Sequence, residues 1–179
     1  MTHKELVEIA YRWLLKSGKC GLAFKELKSI DDEIPDAIGF DSMCSILIEV
    51  KCSRSDFFAD KKKRHRSKGM GNWRFFLCPK GMIKVSELPE KWGLIYVDEQ
   101  GKARIEYDCR IKKIPWMDSS RLTTADENYF DADRIAERRI MYSALRRLFI
   151  KGYVKHIYDK QYDFSTNPKV LIELNQSQP

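Results

Sequence analysis

Two acidic residues and a lysine, Asp36, Glu49 and Lys51, lie on or beside two predicted strands. Alternate side chains of a strand point to opposite faces, so Glu49 and Lys51 share one face of the apolar run at residues 45–52. A hairpin between this run and residues 36–41 would bring Asp36 and Glu49 to one sheet end. Two convergent carboxylates form a hard-oxygen site suited to Mg²⁺, with a lysine within reach. The alternative is a surface hairpin with a cross-strand ion pair.

Together with Pro35, these residues spell the PD-(D/E)XK pattern of a large nuclease superfamily. The sequence that follows resembles the MmcB-like family of DNA-repair proteins, a branch of that superfamily, over roughly residues 35–106. The most specific parts of the resemblance are Glu49-Val50-Lys51, residues 53–57, Asp60-Lys61, Cys78-Pro79, and Leu88-Pro89 leading to residues 93–95.

The resemblance implies an α/β fold with a restriction-endonuclease-like three-layer α/β/α core around a central mixed sheet. It implies Mg²⁺-dependent hydrolysis of DNA phosphodiesters, with Mn²⁺ as a substitute, in DNA repair or in the processing of phage or mobile-element DNA. In the superfamily mechanism, Asp36, Glu49 and the main-chain carbonyl of Val50 hold the metal. Lys51 orients or helps to deprotonate the attacking water and stabilises charge in the transition state.

Two further glutamates are candidate metal ligands by the same resemblance. Nucleases of the superfamily often contribute a glutamate from the first helix, and Glu5 lies beside the apolar stripe of that helix whereas Glu8 points away. The alternative for Glu5 is a capping box with Thr2. Glu26 becomes a third carboxylate if its strand neighbours the strand of Asp36.

A run of basic residues follows the proposed active strand and is predicted to contact phosphates, or else to form a solvated face: Lys61, Lys62, Lys63, Arg64 and Arg66. The formal net charge of +7 suits a polyanionic partner. We expect DNA as the partner, and RNA stays open as an alternative. The sequence is also compatible with a homodimer or with a partner protein. The competing function is a non-catalytic nucleic-acid-binding or scaffold protein, although the intact set of Asp36, Glu49 and Lys51 favours an enzyme.

Hydrophobic periodicity predicts the elements that hold these residues. Helices are predicted at residues 3–16, 53–66 and 131–151, and strands at residues 20–28, 36–41, 45–52, 73–78, 93–97, 103–107 and 153–158. Residues 1–108 should form the nuclease-like core, and residues 109–179 an extension whose long helix packs on it. The predicted apolar face of that helix comprises Ile140, Met141, Ala144, Leu145 and Leu148. Its remaining surface carries arginines, either as a solvated face or as a DNA contact: Arg138, Arg139, Arg146 and Arg147.

Composition narrows the class of protein. No apolar run approaches the roughly 20 residues that cross a bilayer, and the amino terminus lacks the apolar region of a signal peptide. The five cysteines are widely spaced, without a CxxC pair for zinc, and fit reduced core thiols better than a disulfide scaffold. We therefore expect a cytoplasmic protein without a membrane segment.

Overall fold

A computed structural model describes residues 1–31, 33–59, 69–110 and 128–158 of the chain. Its centre is a six-stranded sheet whose spatial order follows the chain. The strands are β1 Leu22–Lys25, β2 Ala37–Phe40, β3 Ser45–Val50, β4 Trp73–Pro79, β5 Trp92–Val97 and β6 Ala103–Tyr107. The central strands β3, β4 and β5 run parallel, whereas β1 and β2 on one side and β6 on the other pair antiparallel. The fold is thus α/β with a mixed sheet.

In the described part of the chain, three α-helices and two short 3-10 helices accompany the sheet. They are α1 His3–Lys16, α2 Arg54–Ala59 and α3 Arg134–Ile150, with 3-10 helices at Val85–Glu87 and Tyr153–Tyr158. Helix α1 packs on one face of the sheet, and α2 and the first half of α3 contribute to the core on the other face. None of the helices within the described ranges is both long enough and apolar enough to pass through a membrane.

Strand β3 is buried along its whole length because both of its faces are covered. Ile46, Ile48 and Val50 join the core beneath α1, and Leu47 joins the opposite core. Parallel strands covered on both faces typically read as continuous apolar runs, which explains the composition of this segment. A buried acid and a buried lysine on such a strand therefore stand out.

A capping box formed by Thr2 and Glu5 fixes the start of helix α1. Thr2 Oγ1 accepts a hydrogen bond from the Glu5 amide at 3.3 Å, and Glu5 Oε2 accepts one from the Thr2 amide at 2.7 Å. This capping box satisfies amides that the helix leaves without partners. The helix then buries one apolar stripe, Leu6, Val7, Ala10, Trp13 and Leu14, against the sheet. Its predicted bounds, and the capping role of Thr2, are confirmed.

Most other predicted elements exist with shifted ends, but one prediction of secondary structure is wrong. Residues 153–158 form a 3-10 helix instead of a strand. Gly152, with φ of +76°, turns the chain at the end of α3, and Tyr153, Ile157 and Tyr158 are exposed. A strand needs a partner for its backbone N–H and C=O groups, and this segment lies beside α3. For the helix predicted at residues 53–66, the structure describes Arg54–Ala59.

The predicted apolar face of α3 is also only partly correct. Ile140 is buried together with Ala136, but Leu145 and Leu148 are exposed. The first half of the helix lies on the sheet, whereas the second half contacts the loop after β1 through Ser143 and Arg147, which both donate to the Lys28 carbonyl oxygen. Periodicity alone cannot tell which turns of a helix reach the sheet.

All five cysteines lie in the described part of the chain and are free thiols. Burial raises the pKa of Cys20, Cys78 and Cys109 to about 12. They are therefore protonated and unreactive at neutral pH, as the sequence predicts for core thiols.

Candidate active site

Asp36 lies immediately before β2 and closes the end of the β2–β3 ladder. Its Oδ2 accepts a hydrogen bond from the Val50 amide at 2.8 Å. In the β2–β3 register Ala37 pairs with Ile48, so continuing it by two residues places Val50 opposite Pro35. Proline has no N–H to donate to the Val50 carbonyl oxygen. The Pro-Asp sequence therefore replaces ordinary strand pairing with a carboxylate contact at this point.

Glu49 and Lys51 form an ion pair at the carboxyl end of β3. Glu49 Oε2 lies 3.8 Å from Lys51 Nζ, and the two side chains are only 10% and 4% exposed. The Lys51 amide donates to the Leu77 carbonyl oxygen, which holds its backbone against β4. The shared strand face predicted from alternation brings these side chains together. Two charges this well buried cost desolvation free energy that an exposed hairpin would not incur.

The electrostatics of Asp36 reflect the same burial. Burial raises the pKa of the Asp36 carboxyl, and the Val50 amide, a protonated His3 and the Lys51 ammonium oppose that shift. The charge of Glu26 adds a smaller upward contribution to the pKa. The net effect of these contributions disfavours the ionised form of Asp36. A cation bound beside the carboxylate would stabilise that form.

His3 is a neighbour of the site that sequence reasoning missed. Its Nε2 lies 3.3 Å from Asp36 Oδ1, and its Nδ1 lies 3.8 Å from Glu26 Oε1. The three histidines are scattered in the sequence, and no spacing rule connects residue 3 with residue 36. The resemblance implies that the first helix contributes a glutamate to the site, which points to this helix but not to His3.

The two additional glutamates occupy different environments. Glu5, exposed at the start of α1, is engaged in the capping box with Thr2. Glu26 follows β1, which pairs with β2 and so meets the condition set for Glu26, and its amide donates to the Asp36 carbonyl oxygen at 3.1 Å. Its side chain is about half exposed and connects to Asp36 through the imidazole of His3.

The residues predicted to hold a magnesium ion carry donors of the chemical type that this ion prefers. They are the carboxylates of Asp36 and Glu49 and the carbonyl oxygen of Val50, all hard oxygens. Among the described residues, no group of three or more His, Cys, Asp and Glu side chains is arranged to hold a metal. Mg²⁺ does not need such a group, because it usually keeps several waters and binds through one or two carboxylates.

The predicted phosphate-binding run cannot be compared with the structure. Lys61, Lys62, Lys63, Arg64 and Arg66 lie outside the described residues. Their role stays a prediction from the sequence.

Comparison with known proteins supports the fold. No family model matches the chain, and no curated protein matches it significantly. A solved structure, a protein of unknown function from Silicibacter pomeroyi, is similar over 92% of this chain and 97% of its own, with a TM-score of 0.55 and 17% identity. Similarity at this level of identity concerns the fold alone.

Proposed function

We propose that the protein is a metal-dependent nuclease that hydrolyses phosphodiester bonds of DNA, with a restriction-endonuclease-like core and membership in the MmcB-like family. The observation that carries this proposal is the buried Glu49–Lys51 pair beside the partly buried carboxyl of Asp36. A hairpin that served only to fold the chain would gain more from apolar residues at these buried positions. The buried charges are therefore better explained by chemistry.

Each residue of the site has a distinct role in this proposal. Asp36, Glu49 and the Val50 carbonyl oxygen would hold Mg²⁺ or Mn²⁺. When bound, the ion polarises the scissile phosphate and lowers the pKa of its water. Lys51, fixed by its backbone bond to β4 and by Glu49, orients that water and stabilises negative charge on the phosphate. His3 contacts the Asp36 oxygen that the Val50 amide does not bind.

The competing function is nucleic-acid binding without cleavage. The observation that favours it is that Glu49 and Lys51 already compensate each other's charge. A scaffold protein could retain that pair as an ion pair and need no metal. The two functions make different predictions for a variant that lacks only the Lys51 charge.

The test replaces Lys51 with methionine, which preserves most of the side-chain length and removes the ammonium group. Wild type and K51M are assayed on single-stranded, duplex and branched DNA across a titration of Mg²⁺ and Mn²⁺. At saturating metal we expect the cleavage rate to fall by about two to four orders of magnitude, the scale for losing one positioned catalytic group. DNA binding in EDTA should change little.

The matched control is Lys80→Met, because Lys80 is an exposed lysine in the turn after β4. It should cleave like wild type, and thermal melts should show that both variants are folded. Equal cleavage by K51M and wild type would contradict the catalytic role of Lys51. Tight DNA binding by a wild type that cleaves no substrate would favour the scaffold function.

A further inference from the structure

Helix α3 presents an alternating row of cations and aromatic rings that the proposed catalytic site does not use. We call it the α3 stripe, and it consists of Arg138, Tyr142, Arg146 and Phe149. The spacings of four, four and three residues place these side chains one above another along one helix face. That face lies opposite the one with which Ala136 and Ile140 enter the core. The stripe spans about 17 Å of helix axis.

The aromatic rings of the stripe are open to solvent. Tyr142 is 65% exposed and Phe149 is 64% exposed. The Arg146 guanidinium lies 5.8 Å from the centroid of the Phe149 ring. The 3-10 helix that follows carries two more exposed rings, Tyr153 and Tyr158. Exposed rings next to cations on one face of α3 are typical of a binding surface.

All charged side chains within residues 138–158 are cationic. Residues 138–158 contain no aspartate or glutamate, and their cations are Arg138, Arg139, Arg146, Arg147, Lys151 and Lys155. Arg139 pairs with Asp31, and Arg147 donates to the Lys28 carbonyl oxygen, so these two arginines attach the helix to the loop between β1 and β2. Arg138 and Arg146 are exposed, and the Arg146 guanidinium lies over the Phe149 ring. A surface of this composition suits an anion with flat apolar faces.

We propose that the α3 stripe binds single-stranded nucleic acid, with Tyr142 and Phe149 stacking on bases and Arg138 and Arg146 contacting phosphates. Single strands combine a regular negative backbone with base faces that are open to stacking, whereas the bases of a duplex are stacked on one another. Aromatic platforms within a basic surface are the usual means of binding them. DNA and RNA share this chemistry.

Two other partners fit the surface less well. A helix that lies on a membrane separates its apolar and charged residues onto different faces, but here cations and rings alternate along the same face. A second copy of this chain, docked through the same surface, would bring two acid-free sets of cations together. Charge complementarity thus favours nucleic acid.

The position of the stripe relates it to the candidate active site. Helix α3 is bonded to the loop whose two ends carry Glu26 and Asp36. A nucleic-acid strand bound to the stripe would lie along α3, whose bonded loop carries Glu26 and Asp36 at its ends. The inference rests on the proposed function only in taking nucleic acid as the substrate, because binding by the stripe requires neither metal nor cleavage.

The test measures binding in EDTA, where cleavage does not occur, by fluorescence anisotropy with 20-nucleotide oligo-dT, oligo-rU and a 20-base-pair duplex. In the variant Tyr142→Ala/Phe149→Ala, single-strand affinity should fall at least tenfold, because each stacked base contributes about 1–3 kcal/mol. Duplex affinity should change less. In Arg138→Gln/Arg146→Gln, the slope of log affinity against log salt should decrease by about 1.4, from two lost phosphate contacts.

The matched controls lose similar groups elsewhere on the surface. Lys16→Gln/Arg104→Gln removes two exposed cations from the end of α1 and from β6, and Tyr107→Ala removes an exposed ring from β6. Both controls should retain wild-type affinity for single strands and a wild-type salt slope. Because all these side chains are exposed, thermal melts should show folded proteins in every case.

Several outcomes would overturn the proposal. One is unchanged single-strand affinity in the Tyr142/Phe149 variant. Others are a dimer in sedimentation that dissociates in this variant, or binding to vesicles with anionic lipids that the variant loses while single-strand affinity stays the same. Failure of K51M to alter cleavage leaves these binding results unaffected, so the two proposals fail separately.

Discussion

At the scale of single residues, the protein buries charged side chains at positions where apolar side chains would avoid the desolvation penalty. Arg74 is fully buried, donates to the carbonyl oxygens of Gly71 and Gly69 at 3.0 and 2.8 Å, and lies 4.0 Å from the Phe130 ring centroid. Burial lowers the pKa of Arg74, and the charges of Glu33, Glu137 and Glu49 oppose that shift. A buried cation thus lies within electrostatic reach of the candidate site.

Glu33 is the least satisfied member of this buried group. Its Oε2 accepts a hydrogen bond from the Met70 amide at 3.1 Å, but its buried Oε1 has no hydrogen-bond partner among the described residues. Burial raises the pKa of Glu33, and the Met70 amide and Arg74 only partly oppose the shift. The folded state therefore binds the Glu33 proton more tightly than the unfolded state does.

The raised pKa of Glu33 makes the stability of the protein depend on pH. The contribution of Glu33 to the free energy of unfolding falls as pH rises from its ordinary pKa of 4.5 through the raised pKa of the folded state. Glu33→Gln keeps an acceptor for Met70 and removes the ionisation. We expect E33Q to be more stable than wild type at pH 7 and similar below pH 4.5, as measured by urea denaturation at both pH values. A variant less stable at pH 7 would show that the charge of Glu33 stabilises Arg74.

At the scale of elements, α1 both covers the sheet and presents His3 to Asp36. The capping box holds the first turn, and His3 is the first residue of that turn. The imidazole then approaches both Asp36 and Glu26. An ordinary helix signal therefore positions a group at the candidate site.

Loss of the cap should lower the stability of the protein measurably. For Thr2→Ala we expect the free energy of unfolding to fall by about 1 kcal/mol, because the Glu5 amide loses its acceptor. That corresponds to a decrease in Tm of about 2–4 °C for a chain of this size. Thr2→Ser is the control and should stay close to wild type. Equal stability of T2A and wild type would mean that water replaces the cap without cost.

At the scale of the whole molecule, one buried side chain joins α3 to the sheet. Glu137 Oε1 accepts hydrogen bonds from Ser45 Oγ at 2.5 Å and from the Gly71 amide at 2.9 Å. Asn72 Oδ1 accepts from the Ser45 amide at 3.0 Å, and its side-chain amide donates to the Phe130 carbonyl oxygen. This network connects β3, the start of β4 and α3. The domain boundary at residue 108 stays a prediction, but α3 contributes buried residues to the core.

Removal of the Glu137 carboxylate should loosen this connection. Glu137→Ala leaves the Gly71 amide without its acceptor and removes a negative charge near Arg74. We expect a loss of about 3 kcal/mol in the free energy of unfolding, the scale for breaking a buried charged interaction. Glu137→Gln retains an acceptor and should lose less. Equal losses in both variants would show that the charge, and not the hydrogen bonds, holds α3 in place.

Local signals in the sequence were sufficient for much of the scaffold. Thr2 and Glu5 determine where α1 begins, and the predicted bounds of α1 and of β6 are those of the structure. Alternation along residues 45–52 predicted that Glu49 and Lys51 share a face, and they form an ion pair. These features depend on contacts between residues close in sequence, which composition and spacing report directly.

Only the tertiary structure decided the features that join distant segments. The contact between His3 and Asp36 depends on how α1 crosses the sheet, and no periodicity encodes that crossing. The same holds for Glu137, whose carboxylate is buried because the first turn of α3 packs next to Ser45 and Gly71. The second half of α3 has apolar spacing but stays exposed, because the sheet covers only its first turns. Spacing specifies which residues share a face, and packing determines what that face meets.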